Sequence, residues 1–307
     1  NSLHFSPSFR AWAETLRDRL VTAHDLRGTR VAELGSGPGH FLSMLCDAGV
    51  AEAHGFDPSY DADRLGAPSH PAVELSTQRY PTDGSLQVDL AFSQHVLEHL
   101  DDPVAALRDL AASVADAAGV VYSEVPNGDL MLRDGALWDL IYEHRSYFVE
   151  PSLRRAHRLA GLAVCDLGTA FGDQFLWAEA RPGEPGSVAD GAPGADAVVA
   201  TVEAAVQFGR DAVKRIEEAR RELTALAAAG PVVLWGAGSK GMTWLNLVAR
   251  DEPVTVVDIN PRKTGCGVPG TGHRIDDPSV LSGVGSATVL LANPAYRDEI
   301  ATQLAEL

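Results

Sequence analysis

Val31-Ala32-Glu33-Leu34-Gly35-Ser36-Gly37-Pro38-Gly39-His40-Phe41 joins an apolar run to three alternating glycines, and Gly55-Phe56-Asp57-Pro58 closes the next apolar run with an acid. Glycine lacks a Cβ, so such a backbone turns sharply and can approach a ligand closely. An acid at the next strand end can accept hydrogen bonds from two ribose hydroxyls. Together these residues read as a nucleoside-binding turn of Rossmann type. A second string, Trp235-Gly236-Ala237-Gly238-Ser239-Lys240-Gly241, is followed by Val254-Thr255-Val256-Val257-Asp258. Its Gly236-x-Gly238-x-x-Gly241 with Asp258 matches a dinucleotide fingerprint in spacing. A helix starting after Gly238 offers free N–H groups and partial positive charge, and Lys240 adds a full charge. That end suits a phosphate or carboxylate; otherwise Lys240 is a solvated first-turn residue.

The elements that must hold these turns follow from hydrophobic patterning. Strands are expected near 30–34, 52–56, 72–75, 88–92 and 119–124, with helices between them. That alternation implies a mostly parallel sheet covered on both faces. Phe9, Trp12, Leu16, Leu20 and Val21 fall at helical spacing before the first strand. Segments near 162–168 and 174–180 add two edge strands. The stretch 181–195, rich in Pro and Gly, reads as a linker or exposed loop. From about 196 to 229 the chain expects one long helix, or two joined at Gly209, with a solvated charged face. Strand, turn and helix recur from about Pro231, so the C-terminal part reads as a second, smaller Rossmann-like unit.

The spacing Glu33-x-Gly35-x-Gly37-x-Gly39 resembles motif I of class I S-adenosylmethionine (SAM) methyltransferases. SAM has no phosphate, so that turn would seat an amino acid and a ribose. The run Asp89–Pro103, DLAFSQHVLEHLDDP, resembles the strand-4 region of many small-molecule methyltransferases. The resemblance implies an α/β fold: a Rossmann-like class I methyltransferase domain over 1–180, a linker and long helix over 181–229, and a Rossmann-like substrate domain over 230–307. It makes the edge strands near 162–168 and 174–180 antiparallel. It implies SAM as cofactor, held by Glu33, Gly35, Ser36, Gly37, Gly39, Asp57, Pro58, Gln94 and His95. His95 would lie near the sulfonium or amino-acid end.

The middle and end of the chain narrow the likeness. Glu124-Val125-Pro126-Asn127 ends strand 5, and Tyr142-Glu143-His144-Arg145-Ser146-Tyr147-Phe148 follows. The latter resembles an "EH…F" block of bacterial sugar C-methyltransferases, which act on nucleotide-linked keto-deoxysugars. The resemblance makes His144 the proton acceptor, with Glu143 and Tyr142 beside it and His99 facing the active site. Gly172-Asp173-Gln174 stands where that family has a Gly-rich turn. Gly236, Gly238, Lys240 and Asn246 match a turn of its C-terminal domain, whose cleft with the SAM domain holds substrate. Lys240, Gly238, Asn127 and Asn246 are the implied substrate residues. The chemistry suits histidine: methylating carbon requires a carbanion or enolate, and a base of moderate pKa can remove a proton beside a ketone. Tyr142, Tyr147 or His99 would stabilise the enolate oxygen. The cysteine-rich zinc domain that precedes that family's SAM domain has no counterpart in these residues. The expected substrate is therefore a small keto compound, a nucleotide-linked deoxysugar being one case. The alternatives are O- or N-methylation in natural-product biosynthesis, a SAM-binding regulator and, more remotely, an NAD-binding oxidoreductase.

Bulk properties bound the rest. The 307 residues are 45% apolar and 22% charged, which suits a globular chain of two domains. A net charge of −17 repels nucleic acid phosphate and argues against a DNA or RNA substrate. No apolar run is long enough to span a membrane. Cys46, Cys165 and Cys266 are widely spaced and no CxxC occurs, so neither a disulfide scaffold nor a zinc site is expected, and a cytoplasmic location fits. The ten histidines show no paired metal-ligand spacing, so no catalytic metal is expected.

Overall fold

Short apolar runs bounded by glycine, proline and acids form the strands of two separate sheets in this computed structural model, which describes residues 3–114, 118–183 and 194–307. The chain runs α1 (Pro7–Ala23), β1 (Arg30–Leu34), α2 (His40–Asp47), β2 (Glu52–Phe56), α3 (Ala62–Leu65), β3 (Val73–Ser76), β4 (Leu90–Gln94), α4 (Pro103–Ala112), β5 (Val120–Pro126) and α5 (Gly128–Asp134). It continues through α6 (Glu150–Leu159), β6 (Leu162–Ala170), β7 (Phe175–Pro182), α7 (Ala195–Ala229), β8 (Val232–Trp235), α8 (Ser239–Val248), β9 (Val254–Val257), β10 (Ile275–Asp276), β11 (Thr288–Leu291) and α9 (Arg297–Glu306).

The first sheet has the order β3-β2-β1-β4-β5-β7-β6. Its first five strands pair in parallel, and β7 runs antiparallel to both β5 and β6. The central strands are buried on both faces, as near-continuous apolar runs in a helix-covered parallel sheet should be. Ala32, Ala91, Val121, Leu107, Leu110 and Leu153 share one core cluster over this sheet. The order reverses at β1 and β4, so the crevice beyond their carboxyl ends is where such sheets take ligands. Both Glu33 and the histidines after β4 lie at that end.

The fourth strand differs from its sequence reading. It covers 90–94 rather than 88–92, and Val88 makes only an isolated bridge to Val114. The chain then forms a single 3-10 turn, Leu97–His99, where a helix is expected. His95 adopts a left-handed φ of 56°, which interrupts helix growth. The helix proper waits for Asp102, whose carboxylate caps the Ala105 N–H at 2.9 Å, with Pro103 in the first turn. The long helix is continuous through Gly209. Of the Pro/Gly-rich stretch read as a linker, residues 184–193 lie outside the described residues.

The second sheet has the order β10-β9-β8-β11, all parallel. Leu234, Val256, Leu245 and Leu223 fill one side of it, while Trp235, Val257 and Ile300 fill the other. Gly241 lets α8 close onto its own turn: a Cβ there would fall 2.0 Å from the Gly236 carbonyl oxygen. The chain divides into two compact units. One comprises 13–130 and 144–200; the other comprises 1–12, 131–143 and 201–307. No helix among the described residues is long and apolar enough to cross a membrane. All three cysteines are free thiols.

Candidate functional site

The first glycine turn is built by contacts that exclude larger residues. Gly35, Gly37 and Gly39 take φ of 76°, 52° and 70°. A Cβ on Gly35 would fall 2.2 Å from Val96 Cγ2, whereas one on Gly37 would meet nothing within 4 Å. The turn therefore packs tightly at its first glycine and is open at its second. Asp57 is wired into it: the Gly37 N–H donates to Asp57 Oδ2 at 2.8 Å. Ser59 donates to Oδ1 through its N–H at 2.8 Å and its hydroxyl at 2.7 Å. Those bonds fix the carboxylate at the end of β2 and leave it further acceptor capacity. Pro58 follows it, exposed.

Glu33 is 5% exposed, and its Oε2 has no hydrogen-bond partner. Burial, with the nearby Asp57 charge second, pushes its carboxyl well above the usual range. The buried Ser36 hydroxyl also lacks a partner. A buried polar group without a partner is costly. Both groups lie at the end of β1 and in its glycine turn.

Beyond β4, a chain of polar groups runs through the same unit. The Tyr122 hydroxyl donates to Glu124 Oε2 at 2.8 Å, and Gln94 Nε2 donates to Glu124 Oε1 at 3.4 Å. His95 Nε2 lies 3.2 Å from that same oxygen, and its ring meets Phe175 edge-on at 4.4 Å between centroids. Glu98 is 2% exposed and burial raises its carboxyl pKa, with Oε1 3.9 Å from both His95 Nδ1 and His99 Nε2.

His144 joins this cluster although it lies far along the chain. The N–H groups of Arg145 and Ser146 donate to the Glu98 carbonyl at 2.7 and 3.1 Å. This clamp sets the His144 ring 4.9 Å from His99 at 83°, and 5.6 Å from Tyr147. Burial first, then the imidazoles of His99 and His95, bring its pKa down to about 4. The ring is thus unprotonated at neutral pH, and its buried Nδ1 has no hydrogen-bond partner. Glu143 is exposed and Tyr142 is 98% exposed; both fall in the other compact unit.

The residues read as substrate ligands are engaged within the protein. Asn127 donates from Nδ2 to the Asp173 carbonyl at 2.8 Å and accepts the Asp129 N–H at 3.0 Å. It thereby braces the turn at Phe171, Gly172 and Asp173, all with positive φ. Gly238 caps α8 with an open face, while Lys240 Nζ pairs with Asp139 Oδ1 at 2.7 Å. Asn246 Nδ2 donates to the Met242 and Pro269 carbonyls at 2.9 and 3.0 Å. Asp258 accepts the Ala237 and Asn260 N–H groups at 2.8 Å each and Lys263 Nζ at 3.1 Å. Lys263, which the sequence reading passed over, also donates to the Ala237 carbonyl at 2.8 Å, so the acid of the second fingerprint is engaged within the protein while Gly238 stays open.

Two family models and several solved structures resemble the chain. A family model described as a methyltransferase domain matches residues 6–167, and one described as a C-methyltransferase C-terminal domain matches 193–307. Solved structures similar to the chain include a SAM-dependent methyltransferase from Clostridium acetobutylicum, at 11% identity over 57% of this chain and 92% of that one, TM-score 0.45. Another is the 1,6-didemethyltoxoflavin N1-methyltransferase of Burkholderia thailandensis with bound S-adenosylhomocysteine, at 20% identity over 56% and 79%, TM-score 0.43. A third is the magnesium protoporphyrin IX methyltransferase of Synechocystis with the same ligand, at 18% over 57% and 83%, TM-score 0.43. A search of curated protein sequences gives no match. The methyltransferase-domain model spans more than half of the chain, and the chain belongs to the SAM-dependent methyltransferases, with a C-methyltransferase C-terminal domain.

Proposed function

We propose that the chain transfers the SAM methyl group to carbon of a small keto-type metabolite, a nucleotide-linked deoxysugar being one case, and that His144 removes the proton from that carbon. The observation that carries this reading is the half-buried His144 imidazole, whose buried Nδ1 has no hydrogen-bond partner, set beside His99 in the unit that holds the glycine turn. Bound SAM supplies an electrophilic methyl group. Glu33, Ser36, the turn Gly35–Gly39 and Asp57 would hold it, because they offer unmatched buried acceptors and an open backbone.

In this reading His144 accepts the proton at a ring nitrogen. The negative charge that develops on the substrate oxygen favours the imidazolium so formed, offsetting the low basicity that burial imposes. His99, half-exposed beside it, or Tyr147 donates to that oxygen. Gln94, which donates to Glu124, and His95, whose Nε2 lies 3.2 Å from the same oxygen, stand at the strand end. The test is exchange: a keto substrate should take up solvent deuterium at the reacting carbon with S-adenosylhomocysteine bound. Absence of exchange in an enzyme that still methylates would favour an oxygen or nitrogen acceptor.

Two further outcomes are expected. Asp57→Ala should weaken SAM binding by about 1–3 kcal/mol, the worth of charge-assisted hydrogen bonds; calorimetry on the folded variant checks it, and unchanged affinity removes Asp57 from the site. Lys240→Ala should raise KM for substrate and leave SAM affinity unchanged, if the Gly236–Gly241 turn receives an anionic substrate group. An unchanged KM would leave Lys240 as the partner of Asp139 alone.

A further inference from the structure

We propose that Glu98, His99 and His144 form a site for a divalent transition-metal ion of the zinc type, and that this ion competes with the substrate proton for His144. The competition rests on the base role given to His144 above; the site itself does not. One ligand atom from each residue lies within 4.8 Å of the others. Glu98 Oε1 is 3.9 Å from His99 Nε2, and the two imidazole rings stand 4.9 Å apart, nearly perpendicular.

The site is built rather than incidental. The Glu98 carbonyl accepts both N–H groups that follow His144, and the His99 N–H closes its turn on Val96 at 2.9 Å. Backbone hydrogen bonds thus hold all three ligands on one short arc of structure. Glu98 Oε2 is buried and lacks a hydrogen-bond partner, as does His144 Nδ1. A buried carboxylate is tolerated when it is paired or coordinates a metal. The His99 side chain is 40% exposed, which gives an ion a path in and leaves coordination positions for water or a substrate oxygen. Two imidazoles and one carboxylate with open positions suit zinc or a similar ion, which such ligands hold at about 2.0–2.2 Å. A single carboxylate is a poor match to the oxygen-rich shells of calcium or magnesium. His95 Nδ1 lies 3.9 Å from Glu98 Oε1, and its other ring nitrogen lies 3.2 Å from Glu124 Oε1.

Titration of the full chain with Co2+ alone tests the site through the visible absorption of a low-symmetry cobalt centre. We expect a saturable 1:1 spectrum that Zn2+ displaces. Glu98→Gln, His99→Gln and His144→Gln should each weaken it by more than about 100-fold, beyond the cost of losing an outer-shell partner. His54→Gln, at a histidine flanked by the exposed acids Glu52 and Glu74, should leave it unchanged. SAM affinity reports that each variant is folded, and His99→Gln alters a half-exposed side chain least able to disturb the core. No saturable spectrum in a SAM-binding chain, or wild-type affinity in His99→Gln, overturns the site. With the site filled, Zn2+ should suppress deuterium exchange at the substrate carbon and a chelator should restore it. Faster exchange with Zn2+ would overturn the competition and remove His144 as the base while leaving the site standing. Absence of metal binding leaves the base role to be judged by exchange in metal-free enzyme.

Discussion

His144→Gln should lower kcat by about 10²–10⁴-fold, the usual worth of a positioned general base. SAM affinity should not change, because His144 touches neither the glycine turn nor Asp57. Glutamine keeps a polar side chain of similar reach but cannot accept the proton. The clamp that positions the residue is made by the backbone of Arg145 and Ser146 and should survive the substitution. Solvent exchange at the substrate carbon should stop together with turnover. Full activity in His144→Gln would transfer the role to His99, whose ring is the nearest alternative. Exchange that persists in both single variants would remove base catalysis by this pair.

Asp258→Ala should destabilise the C-terminal unit by about 3–5 kcal/mol, the cost of breaking a buried, hydrogen-bonded ion pair from one side. Asp258 is 2% exposed and accepts two backbone N–H groups and the Lys263 ammonium. Its removal would leave Lys263 with only the Ala237 carbonyl, at 2.8 Å, for its charge. Denaturant unfolding should show that loss in the transition assigned to residues 201–307, with SAM affinity unchanged. If Asp258 instead read the ribose of NAD, the variant would stay stable and lose nucleotide affinity. The wild-type chain should bind no NAD, since the acid is already matched inside the protein.

The contrast between the two glycine turns explains what the sequence could and could not disclose. Both have an apolar strand, spaced glycines and an acid at the next strand end, and these signals are local, so both turns and their sheets were readable. Whether the acid is available is decided elsewhere. Asp57 is held by Gly37 and Ser59 with acceptor capacity to spare, whereas Lys263 closes over Asp258. No spacing rule distinguishes those outcomes. The cluster of Glu98, His99 and His144 shows the same limit. The first two are neighbours, but His144 arrives through backbone bonds to a carbonyl, which side-chain patterns do not encode. The spacing of the histidines along the chain therefore does not disclose that these three side chains meet. A 3-10 turn in place of the expected helix at Leu97–His99 follows from the left-handed φ of His95, a conformation that residue type alone does not announce. The resemblance makes Lys240 and Asn246 substrate ligands, and their partners within the protein, Asp139 and Pro269, lie far away in sequence.

The acceptor atom is the centre of this account, and one measurement reads it directly. The enzyme would be given SAM carrying a 13C-labelled methyl group together with keto compounds, including nucleotide-linked keto-deoxysugars, and the product methyl would be examined by 13C NMR. The account expects a methyl resonance in the aliphatic carbon-bound range, correlated with the carbon beside the ketone, and its loss in His144→Gln. A labelled methyl on oxygen or nitrogen would contradict it.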